Sequence, residues 1–236
     1  MLAPVVYSFS RMWLDILPQG FTLDWYQKIA QDPRYLEAAL LSLRVALLAV
    51  SINILVGVPT AYIGHVWPGG LGQGIRQFLQ VLPLLAPPLV LGVGFLLAFN
   101  RPPLQFSGTL WIVVLGHAAL GFPFFFRTVY AGLAGLDVRL LMEAARASGA
   151  RLWPRLRYVL FPNLLPAVLS GSLVVFAISM GEFEVTSVVA GFDTITLPLL
   201  LFQSLREDFR AASAVASLLL YITLLALFGI TWARRR

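Results

Sequence analysis

The sequence predicts an all-α, polytopic membrane protein with five full transmembrane helices and a short or truncated first one. Of its 236 residues, 59% are hydrophobic and 12% are charged, and the mean hydropathy is +0.83. Soluble domains carry about 25% charged residues. Five apolar runs reach the length of about 20 residues that a bilayer requires, at 38–64, 77–99, 109–130, 163–188 and 212–232. We treat the chain, 1–236, as one transmembrane domain.

A sixth apolar run near the N-terminus is too short for a full span. It extends from Leu2 to Leu17 and is interrupted by Pro4, Arg11 and Asp15. Two interpretations stay open, namely part of a truncated first helix or a short segment at the membrane interface. Aromatic residues concentrate at membrane surfaces, which favours an interfacial position for the outer segment 11–36. Its aromatic residues are Trp13, Phe21, Trp25, Tyr26 and Tyr35.

The arginines predict the orientation, because cytoplasmic loops carry an excess of Lys and Arg. With the 131–160 loop inside, the inner segments hold ten basic and two acidic residues, a net charge of +8. The outer segments hold seven basic and nine acidic residues, a net charge of −2. The C-terminal Arg234-Arg235-Arg236 then lies in the cytoplasm. This partition accounts for the basic balance without a nucleic-acid partner.

Helix-breaking residues recur within the predicted spans. They are tolerated where neighbouring helices or a water-lined cavity satisfy the freed backbone groups, so they are typical of a translocation path and also of packed bundles. Small residues at 170–172 predict a close helix contact. The breakers are Pro59, Pro83, Pro87, Pro88 and the triplet Gly121-Phe122-Pro123.

The polar loop between the third and fourth long runs predicts two short helices. From Val138 to Ser148 the residues favour a helix, with no Gly or Pro. Gly149 predicts its end, and Pro154 fits the first turn of a second helix. Positions three and four apart share a face, which gives the first helix a charged face and an apolar one. The charged face is Arg139, Glu143 and Arg146, and the apolar face is Leu136, Leu140, Ala144 and Ala147.

The same loop carries a motif at fixed spacing. Glu143-Ala144-Ala145, Gly149 and Pro162 form the pattern E-A-A-x3-G-x9-V-x-F-P. It resembles the EAA loop of the permease subunits of binding-protein-dependent ABC importers, whose usual form ends in I-x-L-P, so positions 159 and 161 depart conservatively. The resemblance implies a type I importer bundle in which 131–162 is the cytoplasmic EAA coupling loop.

The resemblance also implies partners and roles. Glu143 and Gly149 would dock on a separate ATPase, Ala144 and Ala145 would allow close approach, and Pro162 would complete the coupling motif. The expected partners are ABC ATPase subunits, a second permease subunit, an extracytoplasmic solute-binding protein and membrane lipid. A heterodimer of permeases is preferred, with a homodimer as the alternative. The expected location is the prokaryotic plasma (inner) membrane.

The chemistry expected of an enzyme is missing from the sequence. A P-loop needs G-x4-G-K-[ST] to cradle phosphates, and the only lysine, Lys28, is followed by Ile29. With no cysteine and two histidines far apart, His65 and His117, no metal site or catalytic residue is expected. We therefore predict a transport subunit rather than an enzyme, with no cofactor in this chain and with ATP and Mg²⁺ bound by the partner ATPase.

Three polar residues in predicted spans are candidates for the path or a gate. Buried ionisable groups in membranes are costly and often functional. Glu182 and Glu184, near the outer end of the 163–188 run, either meet a cationic solute or close a gate, or else lie among headgroups, solvated or paired with Arg206 or Arg210. His117 either lines a pore or is a packing histidine with satisfied hydrogen bonds.

The solute is predicted from resemblance alone. The sequence G-E-F-x-V-T-S at 181–187, followed by T-L-P at 196–198, resembles the spermidine/putrescine-type permeases and implies a polyamine-like solute. Relatives that handle ferric iron, thiamine and phosphonates carry similar segments and supply the alternatives. Two other classes fit less well. An ATP-independent transporter or channel leaves the EAA spacing unexplained, and a membrane-embedded enzyme would need clustered catalytic residues.

Overall fold

The computed structural model describes residues 2–12, 19–67, 69, 73–74, 77–78 and 87–233. These residues form a helical bundle with one short antiparallel hairpin, which confirms the predicted all-α membrane fold. The hairpin strands are β1 (Ser10–Met12) and β2 (Gln19–Phe21). The helices are α1 (Leu2–Ser8), α2 (Asp24–Gln31), α3 (Pro33–Val66), α4 (Pro88–Phe99), α5 (Leu110–Ala134), α6 (Val138–Ala147), α7 (Leu152–Arg155), α8 (Phe161–Gly181), α9 (Glu184–Val189), α10 (Leu197–Glu207) and α11 (Phe209–Ala233).

Four helical segments among the described residues are long and apolar enough to cross a membrane. They are Pro33–Val66, Leu110–Ala134, Leu152–Gly181 and Phe209–Gly229, and each overlaps a predicted run. The predicted span at 77–99 is represented by α4, which has 12 residues. Most of its first half, including Pro83, lies outside the described residues.

The predicted run at 163–188 is not one helix. The helix begins earlier, at α7, passes through a π-helical turn at Leu156–Leu160 and ends at Gly181. A separate helix, α9, then begins at Glu184. The physical reason is the Glu182 carboxylate, which accepts hydrogen bonds from the first backbone N–H groups of α9 and so starts a new helix, as a capping residue does.

The N-terminal helix is also shorter than the apolar run from Leu2 to Leu17. Its helix ends at Ser8, and the chain turns into the β-hairpin, which the sequence analysis did not predict; residues 13–18, with Trp13, lie outside the described part. Trp25 is only 8% exposed, and its indole N–H donates to the carbonyl of Ser10 at 3.0 Å. Trp25 therefore helps anchor α2 to the hairpin, and the interfacial position of segment 11–36 stays a prediction.

The core forms where α3, α5 and α8 pack together around Phe125, whose side chain is fully buried. A Cβ atom built on Gly57 of α3 would lie 2.5 Å from the Phe125 ring, and one on Gly171 of α8 would lie 2.9 Å from it. Glycine is required at both positions because the ring fills the space of a side chain. The predicted close contact at 170–172 is thereby confirmed.

Candidate functional site: an exposed loop and a buried polar network

The helix of the EAA motif, α6, begins at a side-chain cap. The Asp137 carboxylate accepts a hydrogen bond from the backbone N–H of Leu140 at 3.0 Å, which satisfies one of the free donors at a helix start. Val138 is buried and Met142 half-buried against the bundle. These contacts fix which side of α6 faces the protein and which side faces outward.

The outward side of α6 carries the predicted apolar face. The Leu140 side chain is 63% exposed, and Ala144 and Ala147 are exposed as well. Leu136, the fourth member, instead packs partly buried against the core. Among the described residues, the outer stripe is therefore exposed, and its alanines are small enough to let another surface approach closely.

Charged residues flank this stripe. The Arg139 Nε donates to the Glu143 Oε1 at 2.8 Å, and the two side chains are 88% and 62% exposed. This hydrogen bond raises the pKa of Arg139 above its ordinary value. The predicted pairing on the charged face is thus confirmed for these two residues, while Arg146, also exposed, adds positive charge to the same surface.

Gly149 forms the corner after α6. Its φ of +81° lies in the left-handed region that favours glycine. Its N–H donates to the carbonyl of Arg146 at 2.9 Å, and the N–H of Ala150 donates to that of Ala145 at 3.2 Å, which is the pattern of a Schellman cap. A Cβ atom on Gly149 would meet nothing within 4 Å, so the position is open to a partner surface.

The chain continues into α7, where Pro154 occupies the first turn as predicted. Trp153 is 68% exposed, and the Arg155 Nη1 donates to the carbonyl of Met142 at 3.4 Å, which ties α7 to α6. Pro162 lies in the first turn of α8, after the π-helical turn. Glu143, Ala144, Ala145 and Gly149 therefore share one helix and its corner, while the motif proline starts the next spanning helix.

A second polar group of residues is buried at the break between α8 and α9. The Glu182 Oε1 accepts from the N–H of Val185 at 2.6 Å, and its Oε2 accepts from the N–H and the Oγ1 of Thr186 at 3.0 and 2.7 Å. The Glu182 side chain is 4% exposed. Its oxygens are satisfied by α9 itself.

His117 of α5 joins the same network. Its Nδ1 lies 2.7 Å from the Ser179 Oγ, and its Nε2 lies 2.8 Å from the Thr186 Oγ1 and 3.2 Å from the Glu182 Oε2. The imidazole is 1% exposed. The network therefore links three helices, α5, α8 and α9, through polar contacts inside an apolar bundle.

The pairing predicted for Glu182 with Arg206 or Arg210 is not observed. Arg206 lies over the Phe202 ring and Arg210 pairs with Asp208. The role of Glu182 at the path or a gate stays a prediction. Glu184, two residues on, is exposed. The sequence analysis missed Ser179 altogether, since one serine in an apolar run carries no signal. Thr186 was visible only as part of a resembling segment.

No metal centre is evident in the described part of the chain. Among the residues with described positions, no group of three or more His, Asp or Glu side chains lies close enough to hold a metal ion. The polar network uses its oxygen and nitrogen atoms for hydrogen bonds between helices, so its arrangement fits structure rather than metal binding.

Comparison with known proteins agrees with the geometry of the loop. Residues 53–235 match the family described as binding-protein-dependent transport system inner membrane component. The chain is 33% identical over 230 residues to PhnV of Salmonella typhimurium, which is provisionally named a 2-aminoethylphosphonate transport system permease. This alignment covers 97% of the present chain and 86% of PhnV. It is 30% identical over 221 residues to the spermidine/putrescine transport system permease PotC of Escherichia coli K12, covering 93% and 82%.

Solved structures share the fold. A chain of the methionine ABC transporter MetNI aligns with a TM-score of 0.68 at 19% identity, covering 85% of this chain and 94% of that one. A chain of a bacterial ABC transporter that imports alginate aligns with a TM-score of 0.70 at 15% identity, covering 99% and 88%. With the family match and the exposed EAA loop, these likenesses lead to one conclusion: the chain belongs to the binding-protein-dependent transport system inner membrane components and is the multi-pass permease subunit of an ABC importer of the inner membrane.

Proposed function

We propose that the loop 131–162 is the cytoplasmic segment through which this permease receives motion from its ATPase. The carrying observation is the outward face of α6, where exposed alanines and a leucine are flanked by the Arg139–Glu143 ion pair. The small side chains of this stripe let another surface approach closely, and the charges beside it can complement the charges of that surface.

Each motif residue has a role in this proposal. The short side chains of Ala144 and Ala145 let the ATPase approach the helix closely, and Glu143 adds a charge that complements the ATPase surface. Gly149 turns the chain without placing a side chain in the open corner. Pro162 begins the spanning helix that follows, so that displacement of α6 and α7 reaches α8. ATP-driven closure of the ATPase subunits would then move α8 and alternate access to the path.

The rest of the assembly follows from the same proposal. This chain, a single transmembrane domain, lines half of a solute path with a second permease subunit, a different one by preference, and receives solute from an extracytoplasmic binding protein. ATP and Mg²⁺ bind to the ATPase, and this chain itself performs no hydrolysis. The orientation puts the loop and the C-terminus in the cytoplasm; six of its inner arginines are described (Arg127, Arg139, Arg146, Arg151, Arg155 and Arg157), while Arg76 and the terminal Arg234–Arg236 lie outside the described residues.

The solute is proposed to be a small amine. PotC is named for spermidine and putrescine, and PhnV for 2-aminoethylphosphonate; each of these compounds carries an amino group. Ferric iron and thiamine remain the alternatives from the sequence resemblance. Glu182, Glu184 and His117 stand as proposed path or gate residues, with Glu184 the one whose side chain is exposed.

The test is an affinity purification of the tagged chain from gently solubilised native membranes, with the co-eluting proteins identified. An ATPase and a second permease are expected. Gly149→Asp and Glu143→Lys should lower the amount of ATPase retained and uncouple ATP hydrolysis from uptake, while the permease stays inserted. Elution of the chain alone, with ATP-independent flux in liposomes, would instead indicate a secondary transporter.

A further inference from the structure

A cavity of about 480 Å³ opens between α4, α5, α8 and the start of α9. Its size falls in the range of small-molecule sites, about 300–1,000 Å³. A helix break between Gly181 and Glu184 borders it, and two prolines line it: Pro88 at the start of α4 and Pro123 inside the continuous helix α5. Many transporters form their binding sites at interrupted spanning helices, because irregular backbone within a membrane is tolerated where it is buried in protein or lines a cavity.

The charge of the cavity has one sign among the described residues that line it. Its charged side chains are Glu182 and Glu184, and the other lining groups are apolar or aromatic. The Glu182 oxygens already accept three hydrogen bonds from α9. Glu184 is exposed and forms no ion pair within the described part of the chain. One carboxylate is thus available to a ligand.

Two aromatic rings complete the lining. Phe124 is 41% exposed, and Phe183, next to Glu184, packs against Phe202 with ring centroids 4.6 Å apart. Aromatic faces attract cations through the ring quadrupole, and more strongly where water is excluded. A carboxylate that lines the same cavity as two phenyl rings, without a basic residue among the described lining, favours a positively charged organic group.

We propose that this cavity binds the ammonium group of an organic solute in transit, with Glu184 as its counter-charge and with Phe124 and Phe183 as its aromatic walls. The inference rests on the proposed transport function and specifies its solute class. The buried Glu182 carboxylate caps α9 and thereby fixes the start of the helix that carries Glu184, so the network with His117 supports the wall of the cavity.

The test uses the complete transporter, purified with its ATPase and second permease and reconstituted in nanodiscs without a binding protein. Equilibrium binding of radiolabelled putrescine and of 2-aminoethylphosphonate is measured with and without ATP and vanadate, since access alternates. Butane-1,4-diol and ethylphosphonate, which match the two probes in carbon chain but lack the amine, serve as competitors. Glu37→Gln is the matched control, because Glu37 is a glutamate of α3 that lines a different cavity.

We expect saturable binding of at least one amine, a rise of about tenfold in its Kd in Glu184→Gln and of about threefold in Phe124→Leu, and no competition by the amine-free compounds. Phe124→Tyr, which keeps the ring, and Glu37→Gln should bind as the unmodified chain does. Absence of saturable amine binding, an unchanged Kd in Glu184→Gln, or equal competition by the amine-free compounds would overturn the proposal. The amount of ATPase retained by the Gly149→Asp variant tests the coupling role of the loop separately. A negative result for amine binding is therefore distinguishable from a negative result for the proposed coupling.

Discussion

Glu143 lies in the short helix α6 and Glu182 lies just before the short helix α9, yet the surroundings of these two glutamates are opposite. Glu143 is 62% exposed and bonds an arginine four residues away on the same helix. Glu182 is 4% exposed and contacts a histidine on another helix. A surface ion pair contributes little to stability, whereas a buried carboxylate must have every partner in place. The exposed loop is thus free to serve a partner, and the buried network serves the bundle.

The largest effect on stability is expected from a substitution in the buried network. Glu182→Ala leaves two backbone N–H groups of α9 and the Thr186 hydroxyl without their acceptor. Each buried orphaned donor costs about 1–3 kcal/mol, so we expect a loss of about 3 kcal/mol in unfolding free energy. Thermal unfolding of the detergent-purified permease measures it.

The control for that prediction is Glu143→Ala, which should leave the unfolding temperature unchanged, because the Arg139–Glu143 pair is exposed to solvent. Equal destabilisation by both alanine variants would mean that the network is no more structural than the surface pair.

Two glycines provide a second comparison between the buried bundle and the exposed loop. Gly57→Ala forces a methyl group into the Phe125 ring, with a contact of 2.5 Å before relaxation, and overpacking of this kind costs roughly 1–3 kcal/mol. Gly149→Ala has open space around it and pays only for its positive φ, about 1 kcal/mol. The ratio of the two losses, from the same unfolding assay, checks the difference.

Gly94→Ala provides the reference for an uncrowded glycine, because its Cβ also meets nothing within 4 Å but its φ is negative. It should be neutral or slightly stabilising, since alanine is the better helix former. A Gly57→Ala variant as stable as Gly94→Ala would contradict the tight packing of α3 on α5.

At the exposed corner, function should change more than stability. Gly149→Asp keeps a residue type that tolerates a positive φ but adds a negative charge to the docking surface. We expect uptake to fall by about tenfold, equivalent to about 1.4 kcal/mol, with the protein still inserted. Gly149→Asn, nearly the same in shape and without the charge, should retain more uptake than the aspartate variant. Equal activity of both variants and the unmodified chain would remove the corner from coupling.

The smallest effect is expected from exchanging the surface pair. Arg139→Glu combined with Glu143→Arg restores an ion pair on α6 but reverses the charges presented outward. Unfolding should be unchanged, and uptake should fall by about threefold because a partner surface would meet the wrong sign. Full uptake by the double variant would mean that the two residues act only on each other.

More of the exposed loop than of the buried network could be predicted from the sequence. The predicted features of the loop depend on neighbours within a few residues. They are the helix at 138–147, its glycine stop, the Arg139–Glu143 pair and the proline of α7. The break at Glu182, the hairpin near the N-terminus and the burial of Trp25 were not predicted. Each of these depends on contacts between distant segments, such as the indole of Trp25 with the Ser10 carbonyl.

The sequence by itself determined that the chain crosses a membrane, where its polar loop lies and which importer family it resembles, because hydropathy and motif spacing are properties of short stretches. Only the tertiary structure decided that Glu182 caps a helix, that His117, Ser179 and Thr186 meet, and that Glu184 borders a cavity with two phenyl rings. These side chains come from separate helices, and packing of those helices is what brings them together.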